Sequence, residues 1–232
     1  FRLIVTYSDQ RAREIKEAFR FYDKNTVLFP AKDLIFYQAD IRGRELDTER
    51  IRCLRRIMEG SQTTVVTTFS ALMTPQVPLD VLQKSVIEVK KGGELSLTEA
   101  AERLVCLGYE KQYQVEKPGQ FAIRGGILDV YDLTEDNPIR IELWGDDVEE
   151  IHSFDVLSQR SIAKLESVRI YPATEMILSD RRLMDGLDRI RKEEKALEKR
   201  WRDANRTEEA HRLKTTVAQM EEEALEWKQF GA

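Results

Sequence analysis

The stretch that decides the fold is residues 121–161, FAIRGGILDVYDLTEDNPIRIELWGDDVEEIHSFDVLSQRS. Gly125-Gly126 interrupts its first run of strand-forming residues, Asp136-Asn137-Pro138 the second, and Gly145-Asp146 the third. Such short sequences supply preset or positive φ angles and therefore favour tight turns. The stretch predicts four short antiparallel strands joined by hairpins.

Alternation along the third of these strands separates an apolar face from a polar one. The two faces carry Ile139, Ile141 and Leu143, and Arg140, Glu142 and Trp144, respectively. In the first strand, Arg124 points away from the face of Phe121 and Ile123. An arginine beside an exposed planar ring is typical of a protein-binding hot spot. The alternative is that Trp144 closes the edge of the core and both arginines are merely solvated.

Composition limits the class of protein. The chain has 232 residues, 34% of them charged, with a net charge of −5, which allows one to three domains and a sizeable core. The acidic balance argues against a generally basic nucleic-acid surface. No run of about 18 apolar residues occurs, so we predict no membrane span. The two distant cysteines, with no C-x-x-C pair, make the cytoplasm the expected location. The chain starts at Phe1 and ends in Gly231-Ala232, and we expect both ends to be cuts in a longer protein.

The cysteines and histidines are too few and too scattered to indicate a metal site. Cys53, Cys106, His152 and His211 form no C-x-x-C pair, and we expect all four to be structural or solvated.

Residues 1–85 predict an open α/β lobe with parallel strands. The expected strands are Leu3–Tyr7, Val27–Pro30, Leu34–Tyr37 and Thr63–Thr68, and the expected helices are Gln10–Phe21, Thr48–Met58 and Phe69–Met73. The loop after the first strand carries Asp9 and no glycine, and the sequence contains neither G-x-x-x-x-G-K-[ST] nor G-x-G-x-x-G. We therefore expect no nucleotide site in this chain.

Residues 86–172 predict an inserted α+β domain, in which one helix packs on an antiparallel sheet. Val86–Lys90 and Val168–Pro172 are its expected entry and exit strands, and Ser96 with Glu99 forms a capping box at the start of its helix.

Residues 173–232 predict a helical hairpin bent at Asp203–Thr207. Its two apolar stripes are Leu183, Leu187, Ile190, Leu197 and Trp201, and Leu213, Val217, Met220, Leu225 and Trp227. The expected fold class is thus α/β: an open parallel-sheet lobe, an inserted antiparallel-sheet domain and a C-terminal helical segment.

Three blocks in this order resemble the signature of UvrB-type repair proteins: 122–130 AIRGGILDV, 138–147 PIRIELWGDD and 154–161 FDVLSQRS. That signature marks the small domain through which UvrB and the transcription-repair coupling factors bind the damage sensor UvrA. Only about a dozen residues separate Tyr37 from the helix around Arg50, too few for the tyrosine-rich DNA clamp of UvrB. The segment 28–37, LFPAKDLIFY, is also similar to the coupling-factor version. The resemblance therefore favours the N-terminal, degenerate helicase-like module of a coupling factor.

The resemblance implies a UvrA-binding site made of Arg124, Arg140 and Trp144, where the family commonly has phenylalanine at the third position. It implies recruitment without catalysis or a cofactor in this chain. ATP, magnesium, RNA polymerase and DNA would be bound by domains outside it. We expect Arg124→Ala or Arg140→Ala to abolish UvrA binding with thermal stability nearly unchanged.

Two alternatives stay open at this point. The chain could be a fragment of a UvrB-type ATP-dependent helicase. It could also bind DNA directly through Arg50, Arg52, Arg55 and Arg56, which could equally form a solvated helix face.

Overall fold

The computed structural model describes residues 1–31, 40–60, 62–74, 76–175, 177 and 180–230. The chain divides into two compact units, Phe1–Ile177 and Leu178–Ala232. The elements are, in chain order, β1 (Arg2–Thr6), α1 (Asp9–Arg20), β2 (Thr26–Phe29), α2 (Asp40–Met58), β3 (Thr64–Thr68), α3 (Phe69–Met73), α4 (Leu79–Ser85), β4 (Ile87–Lys90), α5 (Leu97–Cys106), β5 (Glu110–Lys111), β6 (Gln120–Arg124), β7 (Ile127–Tyr131), β8 (Ile139–Trp144), β9 (Asp147–Phe154), β10 (Ser161–Leu165), β11 (Ser167–Ile170), α6 (Asp180–Asp203) and α7 (Thr207–Phe230). The predicted α/β class is confirmed.

The lobe is built on a three-stranded parallel sheet of order β1-β3-β2. Its central strand is buried on both sides, as parallel strands between helices usually are. Val66 packs with Ala12 of α1, and the preceding residue, Val65, packs with Cys53 of α2. One helix therefore covers each face of the sheet, and the predicted parallel pairing of the strands is confirmed.

Two elements of the lobe differ from the prediction. Helix α2 begins at Asp40, eight residues before the expected start at Thr48, because the intervening residues are mostly charged and lack the apolar periodicity that reveals a helix. Helix α4 was not predicted, since it is only seven residues long and follows directly on Pro78. The strand expected at Leu34–Tyr37 lies outside the described residues.

The inserted domain has a six-stranded sheet of order β10-β9-β8-β7-β6-β5. The four central strands, β6 to β9, are those predicted, and they pair antiparallel with one another. The short parallel strand β5 and the edge strand β10 were not predicted. Helix α5 begins after Ser96, whose hydroxyl accepts the N–H of Glu99 at 3.5 Å, and it packs Leu104 against one face of the sheet. The predicted helix cap is confirmed.

The inserted domain begins and ends on one small antiparallel pair. Strand β4 enters the domain and strand β11 leaves it, with Ile87 opposite Ile170 and Lys90 opposite Ser167. Beyond β11, the carbonyl of Tyr171 accepts the hydroxyl of Tyr109 at 2.7 Å, and its N–H donates to Asp132 at 3.0 Å. The segments by which the chain enters and leaves the domain are therefore both held by hydrogen bonds.

The second unit is the predicted helical hairpin, α6 and α7. Asn205 adopts a φ of 62° at the bend, and Leu187 of α6 and Ala210 and Val217 of α7 are buried. Met220, which was expected to face inward, is instead 47% exposed. The side chains of Leu225 and Trp227 lie outside the described residues. Among the helices that the structure describes, none is long and apolar enough to cross a membrane.

Candidate functional site

The candidate site occupies the sheet face opposite helix α5. Strand pairing places Ala122, Asp129, Arg140 and His152 in one row across β6, β7, β8 and β9. Their neighbours along each strand, such as Leu128 and Ile141, point to the apolar core. The period of two thus puts charged side chains from three strands on the same face.

Asp129 is the centre of this face, and its side chain is only 1% exposed. Its Oδ1 accepts Nε of Arg140 at 2.7 Å, and its Oδ2 accepts Nη2 of the same arginine at 2.8 Å. Nη2 of Arg124 donates to Oδ2 at 2.7 Å. A buried carboxylate needs such partners, because an unpaired buried charge is costly. The two arginines that the sequence singled out are therefore joined through one acidic residue.

Arg140 is held on several sides and is only 14% exposed. Its Nη2 also donates to Oε1 of Gln159 at 2.9 Å, and its guanidinium lies 4.3 Å from the centre of the buried Phe154 ring. The hydrogen bonds that Arg140 donates to Asp129 raise the pKa of Arg140 above its ordinary value. The predicted face is correct for Arg140, but the solvated arginine of the alternative interpretation is wrong, because Phe154 and the 155–160 loop pack around it.

Arg124 and Trp144 are the accessible members of the predicted site. The Arg124 side chain is 33% exposed, and Trp144 is 80% exposed at the end of β8. The N–H of Leu143, the residue before Trp144, donates to the carbonyl of Gly126 at 2.7 Å, so Trp144 follows a backbone fixed to the β6–β7 turn. The alternative interpretation, in which Trp144 closes the edge of the core, is therefore wrong.

Sequence reasoning missed Asp129 and Gln159. Asp129 lies between Leu128 and Val130 in strand β7, where aspartate is disfavoured. Its position could therefore have indicated a special role from the sequence. Gln159 lies beyond the strands, in a loop whose path no local pattern reveals.

The arginines proposed as a DNA surface are largely engaged within the first unit. Arg50 is completely buried; it pairs with Glu175 and donates to the carbonyl of Pro30 at 2.5 Å and to Gln76 at 2.7 Å. Arg55 bonds Glu59 at 2.8 Å and Glu135 at 2.6 Å. Two of the four cations thus connect the lobe to the inserted domain and its flanks, which contradicts a DNA surface built from all four.

The two cysteines and the two histidines differ in burial and in their neighbours. Cys53 lies in the lobe core, where burial raises its thiol pKa to about 12, and the Cys106 side chain is partly buried. Nε2 of His152 lies 3.8 Å from Glu142, and His211 is exposed on α7. Within the described part of the chain, no three His, Cys, Asp or Glu side chains are grouped as metal ligands.

The fold and this face define a protein-interaction module: a rigid sheet that carries a braced arginine pair and an exposed tryptophan. Residues 87–176 match the family model described as the UvrB interaction domain. The matched segment begins at the first residue of β4 and runs six residues past β11.

The chain is similar over most of its length to transcription-repair-coupling factors. It is 35% identical to that of Bacillus subtilis over 72% of this chain, and 34% identical to that of Myxococcus xanthus over 65%. These alignments span 14% and 13% of the relatives, so the chain corresponds to a small part of them. A UvrABC system protein B from Thermosipho africanus is 28% identical over 91% of this chain and 34% of that protein. The resemblance to a UvrB-like module of coupling factors is confirmed.

Proposed function

We propose that this chain is the UvrA-docking module of a transcription-repair coupling factor, which recruits excision repair to RNA polymerase stalled at DNA damage. The observation that carries the proposal is the Arg124–Asp129–Arg140 arrangement beside exposed Trp144, within a domain of the UvrB interaction family. The proposal places the protein in the cytoplasm.

The arrangement suits docking because its side chains are ordered before a partner arrives. Immobilising a flexible side chain on binding costs about 0.5–1.5 kcal/mol, and much of that cost is avoided where the rotamer is already fixed. Asp129 holds Arg140 with two hydrogen bonds and Arg124 with one. The pair retains one net positive charge, which suits a carboxylate or carbonyl groups on UvrA.

Trp144 supplies the apolar part of the proposed contact. Tryptophan and arginine are the residues most often found at binding hot spots, and an indole ring is a large, stiff contact surface. With 80% of its surface exposed, the ring has area to bury when UvrA docks.

We assign no reaction and no cofactor to this chain. In this proposal, ATP and magnesium belong to a translocase motor elsewhere in the longer protein, and polymerase and DNA contacts belong to its other domains. The loop between β1 and α1 agrees with this assignment, because Ser8 caps α1 and Asp9 follows it where a phosphate would have to bind.

A second candidate is a fragment of a UvrB-type ATP-dependent helicase. The similarity to the Thermosipho africanus protein over 91% of the chain favours it, whereas the identity to the coupling factors of Bacillus subtilis and Myxococcus xanthus is higher, at 35% and 34%. The two candidates are separated by measuring ATP binding of the full-length protein twice, once with its own N-terminal module and once with that module replaced. A helicase of this type requires the module for ATP binding, whereas a coupling factor does not.

The proposal is tested by titrating purified UvrA onto the 232-residue chain in a calorimeter. We expect binding by the parent and a loss of about 30-fold in Arg124→Ala, since truncating a hot-spot residue costs about 2 kcal/mol or more. Arg169→Ala, at an exposed arginine of β11, is the matched control and should bind within twofold of the parent. Absence of binding by the parent, or parent-like binding by both Arg124→Ala and Arg140→Ala, contradicts the proposal.

A further inference from the structure

The loop between β9 and β10, residues 155–160, is closed by its own hydrogen bonds. The N–H of Asp155 donates to the carbonyl of Arg160 at 2.9 Å, and the N–H of Gln159 donates to the carbonyl of Asp155 at 2.8 Å. The carboxylate of Asp155 accepts both the N–H and the hydroxyl of Ser158, at 2.8 and 2.7 Å. The loop therefore has one defined path rather than a set of alternatives.

Gln159 binds this loop to the arginine pair. Its φ of 57° is in the left-handed region that side chains other than glycine rarely adopt. In this conformation its amide spans two partners: Nε2 donates to the carbonyl of Val156 at 2.7 Å, and Oε1 accepts Nη2 of Arg140 at 2.9 Å. Unfavourable backbone conformations persist where the surroundings enforce them, and they concentrate at functional sites.

Leu157 stands at the tip of this fixed loop and is 94% exposed. Among the described residues it is the most exposed of the large hydrophobic side chains. A single exposed leucine is ordinary on a flexible loop. Here the Leu157 side chain lies on a loop that is hydrogen-bonded to Arg140, the less exposed of the two arginines.

We propose that the 155–160 loop is a second arm of the docking surface and that Leu157 enters an apolar pocket on UvrA. The inference rests on the proposed function, because it assigns the loop to the same partner. Continuity supports this partner: Gln159 lies between Leu157 and Arg140, so a protein that reaches the Arg140 guanidinium also meets the loop. The alternative is that the loop only braces Arg140 and that Leu157 remains in solvent after docking.

The test compares UvrA titrations of the parent, Leu157→Ser, Leu157→Met and Met73→Ser, together with their thermal midpoints. We expect Leu157→Ser to bind about tenfold more weakly, as follows from leaving one leucine unburied, while its thermal midpoint stays at the parent value. Leu157→Met preserves an apolar side chain of similar size and should bind within about threefold of the parent. Met73, which is 82% exposed on helix α3 of the lobe, is the matched control, and Met73→Ser should bind like the parent.

Failure of this inference differs from failure of the proposed function. Binding of Leu157→Ser within twofold of the parent, while Arg124→Ala loses binding, overturns the role of the loop and leaves UvrA docking intact. Parent-like binding by both Arg124→Ala and Arg140→Ala overturns the docking proposal and this inference with it.

Discussion

Arg140 and Asp129 meet between strands β8 and β7 in a two-pronged contact, with Nε to Oδ1 at 2.7 Å and Nη2 to Oδ2 at 2.8 Å. Because Asp129 is buried and Arg140 nearly so, this contact belongs to the stability of the sheet as well as to its outer face. Arg124 shares the same carboxylate from the exposed side. Substitution of the more buried Arg140 should therefore affect folding more than substitution of Arg124 does.

Asp129→Asn should destabilise the chain by about 3 kcal/mol, because breaking a buried ion pair leaves an uncompensated charge. The amide also turns a donor group toward the guanidinium groups of Arg124 and Arg140. Urea unfolding followed by circular dichroism measures the loss. Glu149→Gln, the same change at an exposed carboxylate of β9, should alter stability by less than about 0.5 kcal/mol. Equal effects of the two variants contradict a structural role for Asp129.

Arg124→Ala and Arg140→Ala should differ in stability, contrary to the expectation from the sequence that neither changes it. Arg140→Ala removes two of the three hydrogen bonds from arginine to Asp129 and uncovers Phe154, so we expect a loss of about 2–3 kcal/mol. Arg124→Ala removes one bond at a partly exposed position, and we expect about 1 kcal/mol or less. The midpoints of chemical unfolding rank the two variants. A larger effect of Arg124→Ala contradicts the burial argument.

Arg50→Ala should destabilise the first unit by about 3 kcal/mol, because Glu175 is left buried without its cation and the carbonyl of Pro30 loses a donor. Arg52→Ala, two residues along the same helix at an exposed position, should change stability by less than about 0.5 kcal/mol. Thermal unfolding compares the two. A salt-dependent shift of duplex DNA by the parent that Arg52→Ala weakens would instead revive a DNA-binding role for this helix.

Gly126→Ala should weaken the β7–β8 pairing. A Cβ at Gly126 would lie 2.6 Å from the carbonyl oxygen of Leu143, so one of the two strand backbones has to shift. We expect a loss of more than about 1 kcal/mol in urea unfolding. Gly186 in helix α6 has open space where its Cβ would lie, and Gly186→Ala should be neutral or stabilising by up to about 1 kcal/mol. Similar destabilisation by both substitutions contradicts the steric explanation.

The 155–160 loop should lose stability in acid. The hydrogen bonds from Ser158 to Asp155 hold the pKa of that carboxyl below its ordinary value. A depressed pKa stabilises the folded state above the ordinary aspartate pKa of about 3.9, and that contribution disappears as the pH falls through the folded-state value. The difference in thermal midpoint between the parent and Asp155→Ala should therefore be present at about pH 7 and narrow below about pH 4. A difference that stays constant with pH contradicts this linkage.

Short-range patterns predicted the elements around the candidate site well. Gly125-Gly126 and Gly145-Asp146 placed two turns, alternation placed Arg124, Arg140 and Trp144 on one face, and Ser96 marked the start of helix α5. Each of these features depends on residues within a few positions of one another, and such local preferences are visible in a single sequence.

The features that the sequence did not reveal depend on distant residues. Alternation assigns a side chain to a face but does not say what covers that face, and Arg140 is covered by Phe154 and by Gln159, 19 residues away. Arg50 is buried by Glu175, which is 125 residues distant along the chain. Helix α2 carries charged residues in its first two turns, and its early start lacks an apolar stripe. Tertiary packing decided the burial of Arg140 and Arg50, whereas the start of α2 was missed for lack of a local apolar pattern.

The pairing of β4 with β11 places the two ends of the inserted domain side by side. Ile87 and Ile170 lie opposite each other in that pair, so the polypeptide enters and leaves the domain through neighbouring positions about 5 Å apart. A host protein can therefore accept the domain within a single surface loop without separating the loop's ends. This geometry is consistent with the similarity of the chain both to transcription-repair-coupling factors and to a UvrABC system protein B. It also predicts that grafting residues 87–170 into an unrelated loop of matching width transfers the docking surface intact.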